Sequence, residues 1–287
     1  MRPALASGIG GRQRPRGLAL GLSVLGIIGL AAIFADWLAP YSPIEQFRDA
    51  LRLPPAWFAG GSVRFPLGTD EVGRDMLSRL LHGARASLLI GIAVAAGSMA
   101  FGLLLGLAAV FAPPLAGSVI LRAMDVILST PGLLLAIIVI ALIGPSLANS
   151  IVAITLVHLP AYVRLARSAA LAERAKDYVT AARGFGADPL HIMFVTVLPN
   201  CLPPVTVQAT LGISTAILEA AALGFLGLGV PPPTAEWGAM LASARDSLES
   251  APWVVTLPGL TILVTVLCVN LVGDGLRDLL DPKLRRL

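Results

Sequence analysis

The segment DYVTAARGFGADPLHIMFVTVLP, residues Asp177–Pro199, stands between two long apolar runs and decides how this chain is organised. It is polar and charged, and it is longer than a connection between two membrane spans requires. Four side chains in its first part recur at three- and four-residue intervals, which puts them on one face of a helix: Tyr178, Ala181, Ala182 and Phe185. The spacing therefore predicts a helix that presents a single face.

A turn and a second helix are predicted to follow. Gly186 suits the end of the first helix, where a left-handed residue is common. Asp188 followed by Pro189 predicts the start of the second, because aspartate accepts hydrogen bonds from free N–H groups and proline fits the first helical position. This helix is expected to run to Leu198, with Pro199 at the entry to the next apolar run. The element indicates a surface held by another protein, although spacing alone equally allows an interfacial hairpin with no partner.

The composition places this chain in a lipid bilayer. Of its 287 residues, 56% are hydrophobic and 13% are charged, whereas a soluble domain carries about 25% charged residues. Apolar runs of about 20 residues recur, which is the length a helix needs to cross the hydrocarbon core. We therefore predict an all-α membrane protein with six transmembrane helices: Leu18–Leu38, Ala86–Phe111, Val119–Ile143, Leu147–Val163, Cys201–Glu219 and Trp253–Val272.

The distribution of basic residues predicts the orientation. Arginine and lysine cluster in the N-terminal arm, between residues 164 and 183, and at the C-terminus. Such clusters mark the cytoplasmic side, so both termini and the loop 164–200 are expected there. The chain then divides into a cytoplasmic arm (1–17), a first span with an extracytoplasmic loop (18–83) and a transmembrane core (84–287). The outer segment 39–85 also holds six arginines, but it is long enough for the rule to weaken.

Two outer segments have predictable structure. Gly68–Leu88 is expected to form an amphipathic helix along the outer membrane face, capped by Thr69 or Asp70. Gly224–Pro252 contains glycines followed by three prolines, which cannot continue a regular helix. Such backbone at membrane depth must be buried in protein or line a cavity. The segment is therefore either a re-entrant gate or a structured outer loop.

Three polar residues inside the apolar runs are candidates for a substrate path: Glu219, Gln208 and Asn270. Glu219 could meet a substrate amino group, or it could be an interfacial residue or a helix cap. Gln208 and Asn270 equally suit hydrogen bonds between helices. His158 could carry a proton in a secondary transporter, but that class would show paired intramembrane charges or pseudo-symmetric halves, and neither is evident in the sequence.

The sequence offers no motif for chemistry on this chain. The P-loop string G-x-x-x-x-G-K-[ST] does not occur, so the chain is not expected to hydrolyse ATP or to carry a cofactor. Cys201 and Cys268 lie in or at the ends of apolar runs, and the three histidines are far apart. We therefore predict neither a metal site nor a catalytic site, and no nucleic-acid partner.

The segment 177–199 resembles the EAA loop of ABC-importer permease subunits, whose pattern is Glu-Ala-Ala, three residues, Gly, nine residues, Ile, one residue and Leu-Pro. The matching positions are Thr180, Ala181, Ala182, Gly186, Thr196, Leu198 and Pro199. Threonine replaces the family's Glu and Ile, while the other elements keep their spacing. Further strings resemble the C-type permease subunit of the dipeptide, oligopeptide and nickel family: ADWLAPYSP, GTDEVGRDMLSRLLHGARASL, LPAYVRLARSAAL, AALGFLGLGVPPPTAEWGAML and GDGLRDLLDPKLRR.

The resemblance implies a type I importer permease in the bacterial inner membrane that moves dipeptides or short oligopeptides inward and is not itself an enzyme. A homologous second permease would complete the pore, two ATPase subunits would bind ATP and Mg²⁺ in the cytoplasm, and an extracytoplasmic binding protein would deliver the peptide. The residues implied to contact the ATPase are Asp177, Tyr178, Thr180, Ala181, Ala182, Phe185, Gly186, Asp188, Leu198 and Pro199. Related transporters carry nickel chelates, glutathione or antimicrobial peptides, so the resemblance leaves the substrate open among these.

Overall fold

The structure, a computed structural model, describes residues 14–280, and regular structure in that range is helical apart from one bridge between Thr69 and Asp75. The basic arm up to residue 13 and the basic C-terminus from residue 281 lie outside the described residues. A π-helical turn covers Ile192–Val197 and a 3₁₀ turn covers Arg245–Ser247. The α-helices in chain order are α1 (Arg14–Ile33), α2 (Ala35–Leu38), α3 (Met76–Phe111), α4 (Pro114–Leu128), α5 (Gly132–Ile143), α6 (Leu147–Arg174), α7 (Asp177–Gly184), α8 (Pro189–His191), α9 (Leu198–Phe225), α10 (Trp237–Ser243) and α11 (Trp253–Leu280).

Five helical segments of the described chain are long and apolar enough to cross a membrane. They are α1, α3, α6, α11 and the continuous helical stretch Pro189–Phe225 that contains α9. The pair α4 and α5 supplies a sixth span if the two are counted as one. The predicted all-α membrane architecture is therefore confirmed, with helices that extend beyond the predicted apolar runs. In particular, α6 continues to Arg174, so the first part of the predicted cytoplasmic loop 164–200 is helix.

The predicted third span, Val119–Ile143, is broken in the middle. The axes of α4 and α5 meet at 95° across a short break. Pro131, just before α5, has an extended conformation with ψ 129°. Proline lacks an N–H and disfavours helical geometry in the residue before it, so the helix stops and restarts in a new direction.

Small residues bring the central helices into close contact. A Cβ added to Gly102 of α3 would lie 2.3 Å from Cβ of Tyr162 in α6, and one added to Gly106 would lie 2.6 Å from Cβ of Ala166. Further along α3, a Cβ on Gly91 would lie 2.8 Å from the side chain of Ile217 in α9. Without a hydrophobic drive between helices in lipid, close packing of this kind is a main source of association. α3 is therefore the central helix, against which α6 and α9 are both fixed.

The predicted amphipathic helix Gly68–Leu88 is wrong in its first part. Gly68 and Gly73 both take left-handed conformations, with φ of +78° and +81°, which interrupt a helix. Asp70 is not a helix cap, because its carboxylate accepts hydrogen bonds within the turn and from Arg74 Nε at 2.6 Å. The helix begins at Met76, capped by Asp75, which accepts from the backbone N–H of Ser78 at 2.7 Å. It then runs without a break into the span, so the outer helix and the second span are one helix.

The outer segment that follows α9 folds back onto the ends of α9 and α3. Trp237 is fully buried, and its indole N–H donates to the carbonyl of Leu80 at 3.2 Å. Glu236 caps α10 and is 2% exposed. Its carboxylate accepts from the Ser87 hydroxyl at 2.9 Å and from two backbone N–H groups at 2.8 Å. The irregular backbone after α9 is therefore covered by protein only in part: residues 229–230 and 235–238 are buried, whereas residues 231–234, which include the three prolines, are exposed.

Replacing Gly102 by Ala should destabilise the chain, because the new methyl group would collide with the side chain and backbone of Tyr162. Overpacking of this kind costs about 1–3 kcal/mol. Gly97→Ala, also in α3, is the matched control. Its new Cβ would lie 3.4 Å from the side chain of Thr155 in α6, near ordinary contact distance. Thermal unfolding of the two variants in detergent measures the difference. Equal midpoints would contradict the assigned α3–α6 packing.

Replacing Glu236 by Gln should destabilise the outer segment. The side-chain NH₂ group of glutamine would face a backbone N–H that in the wild type donates to a carboxylate oxygen of Glu236. A buried donor left without an acceptor costs about 1–3 kcal/mol. Glu249→Gln, an exposed change in the same segment, is the control. Protection of the Trp237 amide in hydrogen exchange should fall only in the first variant. Unchanged protection in both would show that Glu236 does not hold this segment.

Candidate functional site

The buried residue of helix α7 is Val179, which packs against the membrane core. Its side chain is fully buried in an apolar cluster with residues from four other elements, among them Leu107 of α3, Ala170 of α6, Ile192 of the π-helical turn and Cys201 of α9. Val179 lies outside the helical face predicted from spacing. It is the one branched apolar residue in α7, which is the signal that could have identified it.

The face predicted from spacing points away from the protein body. Phe185 is 93% exposed and Tyr178 is 41% exposed. Ala181 is exposed and Ala182 is half-buried. An apolar patch left open on a polar segment is typical of a surface that contacts another protein. Two further predicted residues, Asp177 and Thr180, are also exposed and border this face.

The turn after α7 has the predicted conformation. Gly186 adopts φ +82°, a left-handed conformation that favours glycine. Its N–H donates to the carbonyl of Arg183 at 3.0 Å, and the next N–H, of Ala187, donates to that of Ala182 at 3.1 Å. Asp188 then caps the second helix by accepting from the N–H of His191 at 2.7 Å. The predicted glycine turn and aspartate cap are both confirmed.

The second helix does not end at Leu198 as predicted. α8 passes into the π-helical turn, and that turn passes into α9 without a break, so helix is continuous from Pro189 to Phe225. Pro199 therefore lies within a helix and is not a boundary. In an α-helix the proline ring would collide with the carbonyl four residues earlier. Here the turn before Pro199 is π-helical, and the N–H of Leu198 donates to the carbonyl of Met193, five residues earlier. The Asp188 cap is thus joined to the membrane span by one continuous helical stretch.

A carboxylate that the EAA-like spacing does not predict joins α7 to α6. Glu173, at the end of α6, accepts a hydrogen bond from the Tyr178 hydroxyl and lies 2.6 Å from the Lys176 ammonium. Partial burial, together with the hydrogen bond to Glu173, raises the pKa of Tyr178 to about 12. The hydroxyl therefore remains a donor at neutral pH. Glu173 supplies a carboxylate near α7 even though Thr180 occupies the position of the family's glutamate.

A cavity of about 770 Å³ opens between α6, α9 and α11 beside this segment. Its walls are apolar along α6 and α9, and polar residues lie at the end nearest α7. The residues that line it include Leu165, Ala169 and Ala172 of α6, Pro204, Gln208 and Leu211 of α9, and the polar side chains of Glu173, Lys176, Asn200 and Arg277. We refer to this cavity as the inner crevice.

The three candidate path residues do not form one cluster. Gln208 lines the inner crevice. Glu219 lies about 16 Å further along the same helix at 1.5 Å per residue, where its Oε2 is 3.0 Å from Nε2 of His158. Asn270 of α11 instead accepts a hydrogen bond from the Ser214 hydroxyl at 2.8 Å. Asn270 therefore forms a hydrogen bond between helices, which was one of the two roles predicted for it; the other was a place on the substrate path.

No group of three metal-binding side chains occurs within residues 14–280. Cys201 and Cys268 are both buried and free. The described residues therefore contain no cluster suited to metal chemistry.

Comparison with known proteins places this arrangement in a family. Residues 86–286 match the family of the binding-protein-dependent transport system inner membrane component. Residues 16–55 match the N-terminal transmembrane domain of oligopeptide transport permease C.

Two relatives are similar over nearly the whole chain. The di/tripeptide transport system permease protein DppC of Pseudomonas aeruginosa is 61% identical, over 92% of this chain and 88% of the relative. The dipeptide transport system permease protein DppC of Escherichia coli K12 is 54% identical, over 96% of this chain and 91% of the relative.

The solved structure of the MetNI methionine ABC transporter in an inward-facing conformation shares the fold, with a TM-score of 0.59 at 20% identity over 72% of this chain and 98% of that chain. The predicted type I importer fold and the multi-pass inner-membrane location are therefore confirmed. This chain belongs to the binding-protein-dependent transport system inner membrane component family, the permease subunits of ABC importers, and it is not itself an enzyme.

Proposed function

We propose that this chain is a permease subunit that moves dipeptides or short oligopeptides into the cytoplasm, driven by ATPase subunits that hold α7. The observation that carries the coupling role is the exposed apolar face of α7, with Phe185 93% exposed at its end. The peptide substrate is supported by relatives at 61% and 54% identity whose names specify di- and tripeptides.

The proposed complex contains more than this chain. A homologous second permease completes the passage, two ATPase subunits bind ATP and Mg²⁺, and an extracytoplasmic binding protein delivers the peptide. This chain holds no nucleotide itself, because the nucleotide sites belong to the ATPase subunits. Both termini and α7 face the cytoplasm in this arrangement, and the segment 39–75 faces outward. Residues 1–17, 18–83 and 84–287 then form the arm, the first span with its outer loop, and the core.

Coupling follows from the continuity of the helix after α7. Closure of the ATPase pair pushes on the α7 face, and Val179 and Glu173 make α7 move together with the end of α6. The continuous helix Pro189–Phe225 carries the movement to the inner crevice. The passage then changes the side to which it opens, which is a two-state element biased by nucleotide.

The other substrates that the family allows are less well supported. Nickel chelates, glutathione and antimicrobial peptides have no support in the names of the two relatives above. The alternative of a self-sufficient secondary transporter is overturned, since the chain belongs to a permease family of ABC importers.

Uptake of labelled di-, tri- and pentapeptides by a deletion strain carrying this chain tests the substrate class. We expect restored uptake of di- and tripeptides. Affinity purification of the chain should also retain two ATPase subunits and a second permease. Transport by the purified chain alone in liposomes would overturn the proposal.

Replacing Gly186 by Val should abolish peptide uptake while the chain still inserts in the membrane. The left-handed φ of +82° excludes a β-branched residue, so the turn between α7 and the second helix must change. Gly184→Ala is the matched control, because no atom lies within 4 Å of the added Cβ and the residue ends a helix. Uptake assays and immunoblots of membranes measure both effects. Full uptake by the Val variant would contradict the coupling role.

Replacing Phe185 by Asp should release the ATPase subunits without unfolding this chain, since the side chain contributes no burial within it. Phe185→Met keeps the apolar surface and should retain them. The yield of ATPase subunits that co-purify with each variant is the measurement. Equal retention by the Asp variant would show that the partner does not contact this face.

A further inference from the structure

The spans of this chain hold one carboxylate that is isolated from other charges. Glu219 is the only charged residue of α9, Leu198–Phe225. The neighbouring parts of three other helices, 86–111 of α3, 147–163 of α6 and 253–272 of α11, contain no Asp, Glu, Lys or Arg. A carboxylate in a span is costly and marks a functional position unless it is paired.

The hydrogen-bond partner of Glu219 within residues 14–280 is His158, at 3.0 Å between Oε2 and Nε2. The histidine side chain is 10% exposed, whereas that of Glu219 is 32% exposed. In the tautomer that carries its proton on Nε2, the imidazole donates to Oε2 and orients the carboxylate. The Glu219 side chain is 32% exposed, so the other side of the carboxylate stays open.

Both residues lie on the helix faces that line the inner crevice. On α6, Leu165 and Ala169 follow His158 by seven and eleven residues. At 100° per residue, their side chains leave the helix within about 20° of the direction of His158. On α9, Gln208 precedes Glu219 by eleven residues and shares its direction to the same degree. All three of these neighbours line the crevice.

The crevice therefore leads towards the pair. The pair lies about 10 Å beyond Leu165 along α6 and about 16 Å beyond Gln208 along α9. Thr215 and Leu218, which lie between the crevice and Glu219 on α9, are exposed, as is Ala161 on α6. Between the crevice and the pair, the buried Tyr162 of α6 joins the two helices by donating a hydrogen bond to the carbonyl of Gln208 at 3.2 Å. Glu219 lies beyond this contact, where its side chain is 32% exposed.

We propose that Glu219, oriented by His158, binds the cationic amino terminus of the peptide in the passage. The inference rests on the proposed function, because it names the group of that substrate that the passage recognises. An ammonium group supplies both the positive charge and the N–H donors that the open side of Glu219 lacks. Glu219 is then a binding residue and His158 a positioning residue.

The test uses the complete complex in liposomes with the ATPase subunits and ATP inside. The lumen is preloaded with dialanine or with N-acetyl-dialanine, so that the binding protein outside plays no part in the comparison. Uptake of labelled dipeptide and ATP hydrolysis are measured together. In the wild type, luminal dialanine should slow uptake and the acetylated peptide should not, since acetylation removes the charge.

Replacing Glu219 by Gln should weaken inhibition by luminal dialanine about tenfold, the loss expected for one charge-assisted contact. ATP hydrolysis stimulated by the loaded binding protein should persist. His158→Gln, which keeps a donor but not the ring geometry, should weaken inhibition by a smaller factor. Asp125→Asn is the matched control, because that exposed carboxylate pairs with Arg164 at 2.6 Å outside the crevice, and it should behave as the wild type.

Three results would overturn the inference. The first is a Glu219→Gln complex that is inhibited by free dialanine, and not by the acetylated peptide, as strongly as the wild type. That result would leave the proposed function intact. The second is loss of the second permease from that variant during purification, which would assign Glu219 to a subunit contact. The third is a wild-type complex that takes up no peptide, which would overturn the proposed function and this inference with it.

Discussion

The close approach of α3 to α6 and α9 is the constraint on which the rest of this structure depends. Gly91, Gly102 and Gly106 leave no room for a Cβ against Ile217, Tyr162 and Ala166. Because lipid provides no hydrophobic drive between helices, this packing holds the core together. It also fixes the positions of α6 and α9, the two helices that form the walls of the inner crevice and carry the His158–Glu219 pair.

The segment 177–199 is joined to that core in two different ways. Val179 and the Glu173–Tyr178 hydrogen bond attach α7 to the end of α6. The helix that starts after Asp188 continues as α9 through a π-helical turn. The segment is thus connected to two walls of the crevice, those formed by α6 and α9. In the proposed function, this double connection is the route by which a displacement of α7 reaches the membrane spans.

Local chemistry made much of this predictable from sequence. The helical face of α7, the left-handed Gly186 and the Asp188 cap each depend on a few neighbouring residues, and all three are confirmed. Predictions failed where backbone conformation at a few positions, or the angle between two helices, decided the outcome. Gly68–Leu88 was predicted to be one amphipathic helix, yet its first part, Gly68–Asp75, forms a turn because two left-handed glycines and the Asp70–Arg74 pair outweigh helix propensity. Apolar content likewise could not show that α4 and α5 meet at 95°.

The sequence by itself determined the environment, the helical class and the family, because apolar run length, capping residues and ordered motifs are properties of adjacent residues. The tertiary structure alone decided which polar residues meet. His158 and Glu219 are 61 residues apart, and Asn270 pairs with Ser214 and not with either of them. Such pairings depend on helix rotation and crossing distance. Those are set by glycine contacts between helices, which no local pattern specifies.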